Sequence, residues 1–199
     1  MTERTARGVA TRQRFVDEAL RLFREQGYEQ TSMAQIAAAA GGSRSNLYLY
    51  FSGKPQIVLA RMHELEDDVA DLYRALDELP SHDEPAMRRW LESAREMWRR
   101  YSPEFEAIAQ VMTAEQDVLD EWLGLIRRMC AAQTVLYESC ASEDEREDRA
   151  VHMSTLMMSL ERTFYFLYVR GHDDHEDRVL ASLARQWAYL FSERPGPRP

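Results

Sequence analysis

Between Ile36 and Lys54 the chain passes from an alanine run, Ala37 to Ala40, through Gly41 and Gly42 into Ser43-Arg44-Ser45-Asn46, then Leu47-Tyr48-Leu49-Tyr50-Phe51. Alanine is the best helix former. Glycine is the residue for a turn position with positive φ, and a serine just after such a turn caps a new helix. The stretch therefore reads as helix, tight turn, helix. In this order of parts the second helix enters a DNA major groove about 12 Å wide. Lys54 is the only lysine in the chain and opens the following helix. An ammonium beside the positive end of a helix makes a phosphate site. The alternative is a three-helix structural unit with a polar surface, since helical hairpins are common.

The rest of the chain is also helical in period, with no sustained alternation of the kind a strand requires. Val9, Phe15, Val16, Ala19, Leu20, Leu22 and Phe23 line one side of residues 8–26, which Gly27 ends. Thr31 or Ser32 can cap a helix from Met33 to Ala40, and Ser43 one from Arg44 to Phe51. Further helices are expected over 54–78, 86–101, 104–113, 117–141, 142–169 and 175–192. The fold class is all-α, with about nine helices. A three-helix head (1–53) precedes a larger bundle (54–193), and residues 194–199, rich in Pro and Gly, read as a disordered tail.

Charge divides along the same line. Residues 1–54 hold eight basic and five acidic side chains, a net +3, whereas residues 55–199 carry −12. A basic head on an acidic body suggests that only the head meets a polyanion. The longest run of aromatic and aliphatic residues, Phe164 to Val169, is six residues, and a membrane span needs about 20. Met1 to Arg7 contain no apolar stretch, so no secretion signal is expected. Cys130 and Cys140, on one continuous helix, would lie about 15 Å apart along its axis, too far for a disulfide. A reducing cytoplasm is the expected compartment.

Within the head, Arg44 can bond guanine or phosphate and Asn46 can bond adenine. Ser45 is small enough for close approach, and Tyr48 can offer its hydroxyl to a phosphate. Arg4, Arg7 and Arg12 in the leading arm are weaker candidates for phosphate contact. Leu47, Tyr50 and Phe51 belong on the packed side.

The segment resembles the TetR family of transcriptional regulators. The residues that carry the resemblance are Leu22-Phe23, Gly27-Tyr28, Thr31-Ser32, Ile36-Ala37, Ala40-Gly41-Gly42-Ser43, Leu47-Tyr48-Leu49-Tyr50-Phe51 and Gly53-Lys54-Pro55. Gly42 for the family's usual Val, Gly53 for Ser and Pro55 for Glu are departures, and Gly42 is expected to loosen the turn. The resemblance implies a ligand-responsive regulator, most often a repressor, that binds a palindromic operator as a homodimer and is released by a small ligand. It implies DNA contacts from Ser32, Ser43, Arg44, Ser45, Asn46, Tyr48 and Lys54.

The body is also similar to the ethionamide-resistance repressors, through Glu121-Trp122 and Glu161-Arg162-Thr163 with Phe166. That similarity implies an elongated apolar ligand. Met97, Trp98, Tyr101, Phe105, Met112, Trp122, Ile126, Met129, Met153, Met157 and Phe164 are the candidate pocket, because methionines and aromatics line adaptable cavities. The same side chains would equally fill an ordinary helical core. Glu161, inside the apolar helix, could orient a ligand. The last two helices are the expected dimer surface, through Val179, Leu183 and Trp187.

His172 to Asp177 has metal-like composition but also begins a helix, where acids are ordinary, and no metal site is expected. No catalytic constellation or phosphate-cradling glycine loop is present, so neither enzyme activity nor a cofactor is expected. The rival reading is an all-helical carrier or enzyme for apolar molecules that does not bind DNA.

Overall fold

Gly27 and Gly41, with φ of 90° and 66°, take up backbone conformations that side chains disfavour, and each stops a helix where the sequence places a turn. The computed structural model describes residues 3–138 and 140–192, with side chains from residue 7. The elements are α1 (Glu3–Gln26), α2 (Met33–Ala39), α3 (Arg44–Tyr48), α4 (Lys54–Asp77), α5 (Glu84–Arg100), α6 (Ser102–Met112), α7 (Gln116–Ala131), α8 (Thr134–Glu138), α9 (Glu143–Phe164) and α10 (Glu176–Ser192). A single π turn, Tyr165–Val169, extends α9. Among the described residues there is no strand, and no helix is long and apolar enough to cross a membrane. The expected tail, 194–199, lies outside the described residues.

The chain forms two compact units. The first comprises Met1–Leu65 and Pro103–Trp122, the second Glu66–Ser102 and Leu123–Pro199. The first unit thus includes α1 to α3, the start of α4, nearly all of α6 and the start of α7.

In the first unit, Phe15, Val16, Ala19, Leu20 and Phe23 of α1 are buried, at the spacing that keeps one helix face inward. They share the core with Ile36 and Ala37 of α2, Leu47 of α3, and Ile57 and Val58 of α4. Two charge bridges run between helices. Arg12 on α1 meets Glu64 on α4 at 3.0 Å, and Arg61 on α4 meets Glu104 on α6 at 2.7 Å.

In the second unit, Tyr73, Trp90 and Trp187 pack ring on ring, with Trp90 and Trp187 centroids 4.8 Å apart. Trp90 Nε1 donates to the Leu72 carbonyl at 2.9 Å, as buried indoles usually do. Asp83 caps α5 through the Ala86 amide, and Pro85 sits in the first turn, where its missing N–H costs nothing. Arg88 binds Asp177, and Arg95 and Arg99 bind Glu176, fastening α5 to the start of α10. Two of the four acids of the segment 172–177, Glu176 and Asp177, are thereby used as partners for arginine.

Three expectations change. The helix expected over 117–141 breaks at Ala132–Gln133 into α7 and α8. The Gln133 side-chain Nε2 donates to the Tyr73 carbonyl at 3.0 Å, while the Asp77 carboxylate takes the Thr134 hydroxyl and the Val135 backbone amide. Cys130 and Cys140 therefore do not share one helix. Both are free, Cys130 buried with its thiol pushed up by that burial. Leu183 and Trp187 are 3% and 0% exposed within a single subunit, so they belong to its core rather than to an open face, and Val179 is half-buried. The apolar side chains that α9, its π turn and α10 expose are Val151, Met158, Phe166 and Tyr189.

Candidate nucleic-acid interface

The turn between α2 and α3 is closed by backbone bonds, from the Gly41 amide to the Ala38 carbonyl at 3.0 Å and from Gly42 to Ala37 at 2.8 Å. A Cβ at position 42 would lie 2.9 Å from Phe15 Cζ. Gly42 therefore does not loosen the turn: the ring of Phe15 fills the space that a side chain would take.

Ser32 caps α2 in a reciprocal box, its Oγ accepting the Gln35 amide at 3.2 Å while the Gln35 side chain takes the Ser32 amide at 2.8 Å. Ser43 caps α3, accepting the Asn46 amide at 3.1 Å. Both serine hydroxyls are thus committed to holding helix ends and reach a phosphate only in addition to that role. Arg44 and Ser45 are exposed and Asn46 half-exposed, on the first turn of α3. The Arg44 guanidinium donates to the Tyr48 hydroxyl at 3.3 Å and lies over its ring at 5.4 Å. This pairing presents cation and phenol as one unit.

Lys54 differs from the sequence expectation of a lysine open to phosphate. Its ammonium donates to the Tyr28 carbonyl at 2.7 Å and lies 4.1 Å from the Tyr28 ring centroid. An ammonium has three N–H groups, so this contact fixes its position without consuming its capacity. Arg12 is likewise placed, between Glu64 and the ring of Phe51 at 5.2 Å, rather than swinging on a mobile arm. Arg7 is exposed, and the side chain of Arg4 lies outside the described residues. The role of Tyr28 beneath Lys54 is not legible in the sequence. The 4% exposure of Tyr28 and its hydroxyl bond to Glu115 at 2.6 Å depend on a partner 87 residues away, which no local pattern reveals.

Residues 15–60 match the family model described as bacterial regulatory proteins, tetR family. By this head the chain is similar to the TetR family. It is 42% identical over 62 residues to the transcriptional regulator SrpR of Pseudomonas putida, a match covering 29% of each chain. It is 32% identical over 124 residues to the transcriptional repressor AcnR of Corynebacterium efficiens, covering 57% of this chain and 62% of that one. Less than two thirds of each of these relatives is therefore matched. The fold as a whole is similar to that of Thermus thermophilus FadR, solved in complex with lauroyl-CoA, with a TM-score of 0.58 at 18% identity over 94% of this chain and 98% of that one.

The candidate pocket residues divide between the units. Phe105, Met112 and Trp122 fall in the first and the remainder in the second. In the second unit Trp98 meets Phe164 edge-on at 6.1 Å, and Cys130 Sγ lies 3.3 Å from Met157 Sδ. Met153, Met157 and Phe164 are buried, Met97 and Tyr101 half-buried. Glu161 is half-buried on α9 between Met157 and Phe164. Burial raises its carboxyl above the ordinary value, and neighbouring Arg162 opposes the shift. Two clefts between α5 and α10, of about 550 and 350 Å³, are lined by other residues, among them His82, Arg185 and Phe191 in the larger and Pro85 and Arg88 in the smaller.

Proposed function

We propose that this protein is a transcriptional repressor that binds a palindromic operator as a homodimer and releases it when a small, largely apolar ligand binds the second unit. The observation that carries this reading is the α3 surface. Arg44, Ser45 and Tyr48 stand exposed on a short helix whose cap, turn and inner face are all fixed. Rigid presentation of a few polar side chains is what major-groove reading requires. The residues proposed to touch DNA are Ser32, Ser43, Arg44, Ser45, Asn46, Tyr48 and Lys54.

The set of methionines and aromatics about Trp98, Met157 and Phe164 supports an apolar ligand. The exposed apolar side chains of α9 and α10, Val151, Met158, Phe166 and Tyr189, support pairing of two copies through these helices. A regulator of this kind works in the cytoplasm and has no catalytic step.

A gel-shift and anisotropy titration with the DNA upstream of its own coding sequence tests the reading. Binding that weakens steeply with salt is expected. A protein that binds no duplex at low salt, yet takes up apolar molecules, would instead be a carrier.

A further inference from the structure

Glu115 stands between α6 and α7, with its backbone fixed at both ends. Its amide donates to the Val111 carbonyl at 2.9 Å, and its carbonyl accepts the Leu119 amide at 3.3 Å. From this anchored position its Oε1 accepts the Tyr28 hydroxyl at 2.6 Å. Tyr28 lies between α1 and α2, packed edge-on against Phe23 with centroids 5.0 Å apart. Its carbonyl oxygen accepts both the Thr31 amide at 3.2 Å and Lys54 Nζ at 2.7 Å. One buried residue thus holds a carboxylate of the α6–α7 turn at its hydroxyl and the lysine that opens α4 at its carbonyl and ring. All three residues lie in the first unit.

We propose that Glu115 is a positioning residue for DNA binding, acting through Tyr28 on the ammonium of Lys54. This rests on the DNA-binding reading above.

A hydrogen bond from a phenol to a carboxylate is charge-assisted and short. Burial, and then Glu115 itself, raises the Tyr28 hydroxyl far above its ordinary value, with Glu29 adding to the shift, so it remains a donor at all physiological pH. Removing the carboxylate leaves a buried hydroxyl without its acceptor, and the residue must shift to find another. The carbonyl and ring under Lys54 shift with it. An ammonium acts on phosphate as a point charge, so displacement weakens it directly. Because Glu115 belongs to the α6–α7 turn, any movement of that turn would reach the lysine by the same route.

The test is an anisotropy titration of a duplex taken from upstream of the protein's own coding sequence, over a salt series. It uses wild type, Lys54→Ala, Glu115→Ala, Glu115→Gln, Tyr28→Phe and the double variant Lys54→Ala/Glu115→Ala. Glu115→Ala and Tyr28→Phe should each lose about threefold or more in affinity, the low end of coupling within one network. Both should show a shallower salt slope than wild type. Glu115→Gln, which keeps an acceptor oxygen, should recover most of the loss. The double variant should bind no more weakly than Lys54→Ala alone. A purely structural staple would lower the melting temperature but leave the salt slope unchanged and the double variant additive. Either of those results overturns the proposal, as does a Glu115→Ala protein that binds like wild type. Failure of wild type to bind any duplex would instead strike down the DNA-binding reading.

Discussion

The ring of Phe15 occupies the space over Gly42 that a side chain would need, with Cζ 2.9 Å from the site of a Cβ. Both partners are constrained. Phe15 is 1% exposed, and its ring lies 5.9 Å from that of Tyr50. Gly42→Val should therefore destabilise the head even though valine is the residue the family usually places there. Overpacking a filled core costs about 1–3 kcal/mol. Chemical denaturation should show that loss, and Phe15→Leu in the same chain should restore part of it. A Gly42→Val protein as stable as wild type would show that the ring can move aside.

The Arg44 and Lys54 variants separate affinity from sequence preference. Each phosphate contact contributes about 0.9 to the slope of log affinity against log salt. Lys54→Ala should flatten that slope by about one contact and weaken all duplexes alike. Arg44→Ala should also relax the preference at one base position if the guanidinium reads guanine, at a cost of about 1–3 kcal/mol. Anisotropy on a panel of single-base operator variants distinguishes the two. Uniform weakening by Arg44→Ala would make it a phosphate contact only.

Much of the head is legible in sequence because its determinants are local. Gly27, Gly41, Ser32 and Ser43 act on residues within four positions of themselves, and the period of α1 marks its own buried face. The rest depends on distant partners. The break before α8 is made by Asp77 and Tyr73, 57 and 60 residues from the groups they bind. The setting of Lys54 depends on Tyr28 and Glu115. The faces of α10 are not legible in sequence, because a helix apolar on more than one side does not say which side packs within its own chain. Trp187 turns inward because Tyr73 and Trp90 receive it.

Asp77 supplies a test of the first of these. Its two carboxylate oxygens hold the Thr134 hydroxyl at 2.6 Å and the Val135 amide at 2.9 Å, the task of a helix cap performed from outside the helix. Asp77→Ala should cost about 0.5–2 kcal/mol, as loss of a cap does. Hydrogen exchange of the Val135 amide should rise, and DNA binding at low temperature should be unaffected. Unchanged exchange at Val135 would mean that α8 forms without the cap.

Glu161 gives stability a pH dependence of known sign. Burial raises its folded value above the ordinary 4.5, so the folded state binds its proton more tightly than the unfolded chain. Stability from this group is complete below the unfolded value and falls as pH rises through the folded one. Glu161→Gln, which is always neutral, should melt higher than wild type at pH 8 and show no such gain at pH 4. A gain that persists at pH 4 would point to packing rather than charge. A carboxylate that costs stability is also a candidate for polar contact with a ligand, and its replacement should alter ligand affinity more than DNA affinity.

The two kinds of apolar residue on α9 and α10 should fail differently. Met158 and Phe166 are 39% and 48% exposed, whereas Trp187 is fully buried beside Trp90. Met158→Glu or Phe166→Glu should leave the circular dichroism spectrum and melting of the subunit nearly unchanged, while sedimentation shifts from dimer to monomer. Affinity for a two-fold operator should then collapse, because each half-site must be held alone. Trp187→Ala removes a large side chain from a filled core and should cost about 3–5 kcal/mol of folding stability. Any dissociation it causes should follow unfolding rather than precede it. A Trp187→Ala protein that melts like wild type but sediments as a monomer would return that residue to the interface. A Met158→Glu protein that remains dimeric would place the two-fold seam elsewhere.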